Sequence, residues 1–153
     1  MKIEIEPVGF VRGGRGEAVD DDWGKEEARI ELDSARFGAD SLAGLGDFSH
    51  LLVIYHFHRA DPSKIETAAR HPRGNTAWPK VGIFAQRGKN RPNRIGVSTC
   101  EIAGVEGTTV RVRGLDAIDG TPVLDIKPFF RSFEPRTGVR EPAWVAEIMS
   151  EYW

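Results

Sequence analysis

One stretch of the sequence, His50–His58, constrains the fold more than any other, because apolar residues occupy both of its faces. Alternate residues of a β-strand point to opposite faces of the sheet. One face would carry Leu51, Val53, Tyr55 and Phe57, and the other Leu52, Ile54, His56 and His58. A strand that is largely apolar on both faces is typical of a sheet interior. The pattern therefore predicts a central, buried strand.

Weaker strand signals precede and follow this segment. Lys2–Glu6 and Ala28–Leu32 alternate apolar with charged residues and predict half-exposed strands. Further strands, which bring the total to about seven, are predicted at Val81–Gln86, Ile95–Ile102, Thr109–Leu115 and Val123–Ile126. Turns rich in glycine, proline and asparagine separate these stretches.

Helical signals are few. Asp61-Pro62 has the form of an N-cap followed by proline, which predicts a helix over Ser63–Arg70. The spacing of apolar residues predicts a C-terminal helix over Pro142–Glu151. Because strands and helices do not alternate regularly, we expect a mainly β protein. Its residues 1–153 would form a single barrel-like domain with one or two short helices, not a Rossmann fold.

The composition excludes several classes of protein. A chain of 153 residues, 40% hydrophobic and 29% charged, is typical of one folded globular domain. Its longest apolar run, Leu51–Tyr55, is far shorter than the roughly 20 residues of a membrane helix. The sequence opens Met1-Lys2 without a secretory signal, and its one cysteine, Cys100, has no partner for an internal disulfide. We expect a cytoplasmic protein with no membrane contact, and Cys100 as an inert core residue.

Charge is distributed unevenly along the chain, although the net charge is only −2. Eight acidic residues lie between Glu17 and Asp33, whereas the window from Thr67 to Cys100 contains no acid. The seven bases of that window are Arg70, Arg73, Lys80, Arg87, Lys89, Arg91 and Arg94. Clustered cations without acidic partners favour an anionic ligand such as nucleic acid. The alternative is a solvated basic face that pairs with the acidic segment across a subunit contact.

Three short motifs do not meet the requirements of the sites they suggest. Gly82–Asn90 has five residues between its glycines where a phosphate-binding P-loop has four, and it lacks the Ser or Thr that binds magnesium. Gly44–Ser49 lacks the third glycine of a dinucleotide-binding turn and precedes a strand rather than a helix. His56 and His58 share a strand face but supply only two ligands, so we expect no metal.

Two long motifs carry a resemblance to a known family. They are Arg91–Gly96 (RPNRIG) and Leu115–Pro128 (LDAIDGTPVLDIKP), supported by Phe48–Leu51 and Pro72–Asn75. With them the chain resembles the TsaA-like (TrmO-type) family of S-adenosylmethionine-dependent tRNA methyltransferases. The resemblance extends from about Ile5 to Pro128.

This resemblance implies a barrel-like fold and a homodimer with the cofactor near the subunit boundary. It also implies methylation of N6 of threonylcarbamoyladenosine beside the tRNA anticodon. The cofactor-binding residues that it implies are His58, Arg59, Arg87, Val97, Arg113, Gly114, Leu115 and Asp116. In the family a loop near the N-terminus adds a further contact, but here that loop reads Asp20-Asp21-Asp22-Trp23. Asp22 and Trp23 are the candidates to replace it.

The chemistry of these residues is compatible with such a cofactor. Asp116 or Asp119 could face its ammonium and sulfonium, and Val97 with Leu115 could enclose the adenine. An ion pair between Arg87 and Asp116 without any ligand is the alternative. The basic residues expected to face RNA are Arg73, Lys89, Arg91 and Arg94.

No catalytic residue is assigned, although His58 and Asp125 are candidate proton acceptors. Two other functions stay open. One is a methyltransferase of the same fold that acts on a small acceptor. The other is a non-enzymatic module that binds RNA or a nucleotide through the basic window.

Overall fold

The computed structural model describes residues 1–153, and its eight strands account for most of the regular structure. The strands are β1 (Gly9–Arg12), β2 (Glu27–Leu32), β3 (His50–His56), β4 (Ala69–Arg70), β5 (Val81–Gly82), β6 (Ile95–Glu106), β7 (Thr109–Arg113) and β8 (Pro122–Pro128). One helix, α1 (Ala143–Ile148), and six short 3₁₀ helices complete the structure. None of the helices is long and apolar enough to cross a membrane.

Six of the strands close into an antiparallel barrel in the order β1-β2-β7-β6-β3-β8. The remaining strands, β4 and β5, form a separate two-stranded sheet. The prediction of a mainly β, barrel-like fold is therefore confirmed, and the strand order has nothing in common with a Rossmann sheet.

Strand β3 occupies the central position that its sequence predicts, with β6 on one side and β8 on the other. Leu51, Val53 and Tyr55 point into the barrel and are at most 2% exposed. Leu52 and Ile54, on the outer face, stay partly exposed. The expectation that both faces are covered is thus wrong for a single chain, because a closed barrel has only one interior.

The barrel interior is filled mainly by aliphatic side chains, which come from five of its six strands and from the loop after β7. Its fully buried members include Val11, Ile30, Leu51, Val53, Val110, Val112, Leu115 and Val123. Each side chain of this size contributes about 1.5–3 kcal/mol when it leaves water. Cys100 belongs to the same cluster at 3% exposure, which confirms its predicted place in the core.

Two of the predicted strands form elsewhere or are shorter than expected. Lys2–Glu6 pairs with nothing, and Ile3 is 73% exposed; the first strand is Gly9–Arg12 instead. Gly9 permits that pairing, because a Cβ there would lie 2.3 Å from the Glu31 carbonyl oxygen. The stretch predicted over Val81–Gln86 pairs only at Val81–Gly82, after which the chain turns into a 3₁₀ helix.

The helix predicted over Ser63–Arg70 is also wrong. Asp61 does cap a turn, since its Oδ1 accepts a hydrogen bond of 2.9 Å from the Ser63 amide, but the turn ends at Lys64. Ile65 is already extended, and β4 follows. At the C-terminus, a shorter helix than expected begins after Pro142 and ends at Ile148.

Candidate functional site at one end of the barrel

The loop after β7 closes one end of the barrel. Gly114 ends the strand with a φ of +75°, a left-handed conformation that glycine adopts without strain. Leu115, Ala117 and Ile118 then pack inward. Asp119 fixes the far side of the loop, because its Oδ1 accepts a hydrogen bond of 2.8 Å from the Gly13 amide. The loop therefore holds Asp116 above the barrel interior.

Asp116 is the centre of a hydrogen-bond network made of hydroxyl groups. Its Oδ1 accepts hydrogen bonds from Tyr55, at 2.9 Å, and from Ser98. Its Oδ2 accepts a hydrogen bond from Tyr152. None of these donors carries a charge, so the structure fixes a carboxylate in place without a cationic partner. The Arg87–Asp116 ion pair, considered above as an alternative to ligand binding, does not form.

The tyrosines of this network are held in their protonated, donating form. Burial, and next the Asp116 carboxylate, raise the pKa of Tyr55 above its ordinary value. The same two causes, in the same order, raise the pKa of Tyr152. Burial and Asp116 also raise the pKa of the Cys100 thiol to about 12. This thiol is therefore not a nucleophile at neutral pH.

Arg87 lies beside the network without an acidic partner. Its Nη2 donates a hydrogen bond of 2.6 Å to the carbonyl oxygen of Val97, which stands on the outer face of β6 and is 37% exposed. The positive charge of Arg87 also acts on Tyr152, whose pKa it lowers against the larger raising effects. Two of the predicted cofactor residues are thus in direct contact, and both are close to the Asp116 network.

His58 and Arg59 approach the same end of the barrel from the exit of β3. Arg59 donates a hydrogen bond of 3.0 Å to the carbonyl oxygen of Gly16, and a Cβ on Gly120 would lie 3.9 Å from His58 Nε2. Burial, and next Arg59, lower the pKa of His58, so its imidazole is neutral at pH 7. No group of three or more His, Cys, Asp or Glu side chains is placed to hold a metal ion.

The other predicted residues of this loop are engaged in structural contacts. Arg113 pairs with Glu27 at 2.8 Å and with Glu101 at 3.5 Å on the outer surface. Leu115 is 1% exposed and packs in the core. Its proposed contact with an adenine ring has no support from the side-chain position.

The acidic N-terminal loop also reaches this end of the barrel. Trp23 is 4% exposed, with the Arg15 guanidinium 4.1 Å from its ring centroid. The amides of Asp22 and Trp23 donate hydrogen bonds of 2.8 Å to the carbonyl oxygens of Glu151 and Tyr152. The candidate loop residues therefore contact the C-terminal segment of the same chain.

Sequence reasoning missed the three hydroxyl donors around Asp116. The strand pattern accounts for Tyr55 only as an apolar residue, and no motif points to Ser98 or Tyr152. A signal was present, because a buried tyrosine or serine needs a hydrogen-bond partner. The partner itself, Asp116, lies 61 residues from Tyr55 and could not be chosen without the fold.

The basic window is only partly neutralised. Arg73 donates hydrogen bonds of 2.8 Å and 3.1 Å to the two carboxylate oxygens of Asp21. This pairing joins the basic and acidic segments within one chain rather than across a subunit contact. The six other bases of the window form no ion pair; they are Arg70, Lys80, Arg87, Lys89, Arg91 and Arg94.

Two of the twelve depressions on the surface can be compared with the predicted site. The larger, of about 660 Å³, has no hydrophobic lining and is bordered by residues of β2, β7 and the β6–β7 turn, away from Asp116. The smaller, of about 230 Å³, lies between Gly24, Gly114, Cys100, His50 and Trp153. Only the smaller one touches predicted site residues. Its volume is below the roughly 300–1,000 Å³ of an ordinary ligand pocket.

A comparison with sequence models of known families identifies the family of this chain. The sequence model of the tRNA-methyltransferase O N-terminal domain (TrmO_N) matches residues 21–134. The chain belongs to the TrmO family. The family expected from the RPNRIG and LDAIDGTPVLDIKP motifs is thereby confirmed.

Individual relatives and a solved structure of the TrmO family support this assignment. The human tRNA (adenine(37)-N6)-methyltransferase is 39% identical over 102 residues, which are 67% of this chain and 23% of that protein. A probable S-adenosyl-L-methionine-binding protein of Methanothermobacter thermautotrophicus is 37% identical over 138 residues, which are 88% of this chain and 95% of that protein. The crystal structure of TrmO from Pseudomonas aeruginosa superposes with a TM-score of 0.74 at 28% identity, over 92% of this chain and 61% of that one. The chain spans less than a quarter of the mammalian relatives that it matches.

Proposed function

We propose that this TrmO-family chain is an S-adenosylmethionine-dependent methyltransferase that modifies tRNA at N6 of threonylcarbamoyladenosine beside the anticodon. The observation that carries the proposal is the Asp116 carboxylate, which three neutral hydroxyls fix without a cation. The printed names of the human and archaeal relatives, a tRNA (adenine(37)-N6)-methyltransferase and a probable S-adenosyl-L-methionine-binding protein, support the same reaction and cofactor.

The residues around Asp116 fit the charges of this cofactor. S-adenosylmethionine carries an ammonium, a sulfonium and a carboxylate. Asp116 offers negative charge for the first two groups, and the guanidinium of Arg87, which has no acidic partner, fits the carboxylate. Val97 beside Arg87 offers exposed apolar surface for the adenine.

The bound cofactor supplies an electrophilic methyl group on a sulfonium. The chain contributes position and electrostatics, because an in-line displacement depends mainly on alignment of the reacting atoms. The accepting N6 must lose its proton, which the adjoining carbamoyl group makes more acidic. His58 is neutral and can accept that proton at a ring nitrogen. Asp125 is less suited, since Lys127 lies 3.0 Å from its carboxylate.

The part of the basic window without ion pairs supports an RNA partner. Lys89, Arg91 and Arg94 follow Arg87 within the same acid-free window of the chain. Arg91 is held by a hydrogen bond of 2.9 Å from its Nη1 to the Gln86 carbonyl oxygen. Phosphate contacts from such residues position a nucleic acid without reading its sequence.

We also infer that the chain forms one domain over residues 1–153 and assembles as a homodimer in the cytoplasm. The acidic loop and the C-terminal segment both pack at the same barrel end, which supports a single unit. Leu52, Ile54 and Val97 leave apolar surface open on the outer face of β3 and β6, which supports a subunit contact there. A tRNA substrate supports the cytoplasmic location.

Calorimetric titration with S-adenosylmethionine tests the cofactor, and we expect binding that S-adenosylhomocysteine displaces. Absence of binding would leave a nucleic-acid-binding module as the better account. The acceptor is tested by incubating the protein with threonylcarbamoylated tRNA and isotope-labelled cofactor, followed by mass spectrometry of the nucleosides. Cofactor binding without a methylated nucleoside would point to a smaller acceptor.

A further inference from the structure

The last three residues of the chain, Glu151–Trp153, lie across the proposed cofactor site; we call them the strap. The Asp22 and Trp23 amides each donate a hydrogen bond of 2.8 Å to the strap backbone. Tyr152 donates its hydroxyl proton to Asp116 Oδ2. The strap lies outside residues 21–134, which match the family model.

These contacts occupy the polar groups that the site would offer to a cofactor. Two backbone N–H groups of the acidic loop and one oxygen of the Asp116 carboxylate are engaged by the strap. Trp153 adds a steric contact, since its carbonyl carbon would lie 2.7 Å from a Cβ on Gly24. Together with Gly114, Trp153 borders the depression of about 230 Å³ beside the site. Pockets for small-molecule ligands usually have volumes of about 300–1,000 Å³.

We propose that the strap is an internal competitor of the cofactor, and that Tyr152 must leave Asp116 before S-adenosylmethionine binds. This inference rests on the proposed function. The affinity measured for the cofactor is then the intrinsic affinity reduced by the fraction of molecules in which the strap is open.

The strap is held loosely enough to be displaced. The helix before it, α1, has six residues and none of them is buried. One side-chain hydrogen bond, of 2.7 Å from Trp78 Nε1 to Glu147 Oε2, links that helix to the rest of the chain, and its large apolar side chains are only half-buried. Trp153 is 57% exposed. Segments with so few buried contacts open at a small cost in free energy.

The exchange at Asp116 favours the cofactor. In the closed form its Oδ2 accepts a hydrogen bond from a neutral phenol. An ammonium in the same place would also donate a hydrogen bond, and its positive charge would add an attraction to the carboxylate that a neutral phenol cannot supply. The network through Tyr55 and Ser98 holds Oδ1 throughout, so the carboxylate keeps its position while the strap moves.

The chain has only two tyrosines, Tyr55 and Tyr152, which makes the movement directly observable. In protein labelled with 3-fluorotyrosine, ¹⁹F NMR gives one resonance for each, and Tyr152→Phe identifies which is which. On titration with S-adenosylmethionine we expect the Tyr152 resonance to move to the position of a solvent-exposed tyrosine. Tyr55, only 2% exposed, serves as the internal reference and should stay near its buried position.

Affinities of variants give the second measurement. Tyr152→Phe removes only the hydroxyl that binds Asp116, and we expect it to bind S-adenosylmethionine about tenfold more tightly than the wild type. Trp153→Ala should shift the affinity in the same direction. The matched control is Ser150→Ala, which removes a hydroxyl bonded only to the Glu147 carbonyl oxygen and should leave the affinity unchanged.

Two results would contradict the strap proposal without contradicting the proposed function. One is a Tyr152 resonance that does not move at saturating cofactor. The other is equal or weaker binding by Tyr152→Phe, which would make Tyr152 part of the pocket wall. If neither the wild type nor a folded variant binds the cofactor, the proposed function fails, and the strap proposal fails with it.

Discussion

At the scale of single residues, Asp116 combines two roles, since it orders the barrel end and offers a fixed negative charge. Asp116→Asn keeps the shape of the side chain and removes the charge. We expect the variant to lose about 1–3 kcal/mol of unfolding free energy, because an amide cannot accept from all three hydroxyls. Cofactor affinity should fall more than tenfold, opposite in sign to the effect of Tyr152→Phe. Chemical denaturation and calorimetry measure the two changes.

Asp119 provides the comparison for this test, because the sequence alone leaves open which of the two acids faces the cofactor. The Asp119 carboxylate accepts a hydrogen bond from the Gly13 amide, and the amide oxygen of an asparagine could accept the same bond. Asp119→Asn should therefore change both measurements little. A larger loss of cofactor affinity at Asp119 than at Asp116 would place the cofactor on the other side of the loop.

His58 determines the expected response of methyl transfer to pH. Burial and the nearby Arg59 disfavour the imidazolium, so the pKa of His58 lies below its ordinary value of 6.5. If His58 accepts the N6 proton, kcat/KM should rise with pH while His58 deprotonates, with a midpoint below pH 6.5, and become level at alkaline pH. His58→Gln should lower the activity at alkaline pH and remove its rise with pH. If the variant keeps the rise in activity with pH, the deprotonation of another group causes that rise.

At the scale of elements, the link between Arg73 and the acidic loop separates Arg73 from the other bases of its window. Its guanidinium is already paired with Asp21, whereas Lys89 is in no ion pair. We expect Lys89→Gln to weaken tRNA binding and to lower the slope of log K against log salt by about 0.7–0.9. Arg73→Gln should change the slope less. Filter binding over a range of salt concentrations measures both; equal slopes for the two variants would contradict this distinction.

The pattern of elements also shows what the sequence could predict. Strands such as β3 and β6 were predictable, because their aliphatic residues recur at the two-residue period with which side chains alternate between the faces of a strand. Lys2–Glu6 has the same alternation and forms no strand, since pairing requires a partner that local sequence does not specify. The same limit applies to the site, where residues can be predicted from motifs but contacts cannot. Motif residues such as Asp116 could be named from the resemblance, but the Tyr152–Asp116 contact joins residues 36 positions apart and depends on the closed barrel.

At the scale of the whole molecule, the outer face of β3 and β6 distinguishes a monomer from a dimer. Leu52 and Ile54 are apolar and partly exposed, and Val97 beside them is 37% exposed. The same strands carry Tyr55 and Ser98 on their inner face, against Asp116. A subunit contact on the outer face would therefore lie on the opposite side of the same strands from Asp116. The family resemblance likewise implies a cofactor near the subunit boundary.

Ile54→Lys tests this contact without disturbing the barrel interior. The cross-strand neighbours of Ile54 are Val97 on β6 and Asp125 on β8, so the introduced ammonium has a carboxylate within reach. We expect this variant to sediment as a folded monomer in analytical ultracentrifugation at micromolar concentration, where we expect the wild type to sediment as a dimer. Phe10→Lys, at a 37% exposed position on the outer face of β1, should leave the dimer intact. A wild-type chain that sediments as a monomer at micromolar concentration would contradict the assembly, and the apolar outer face would then require a different partner.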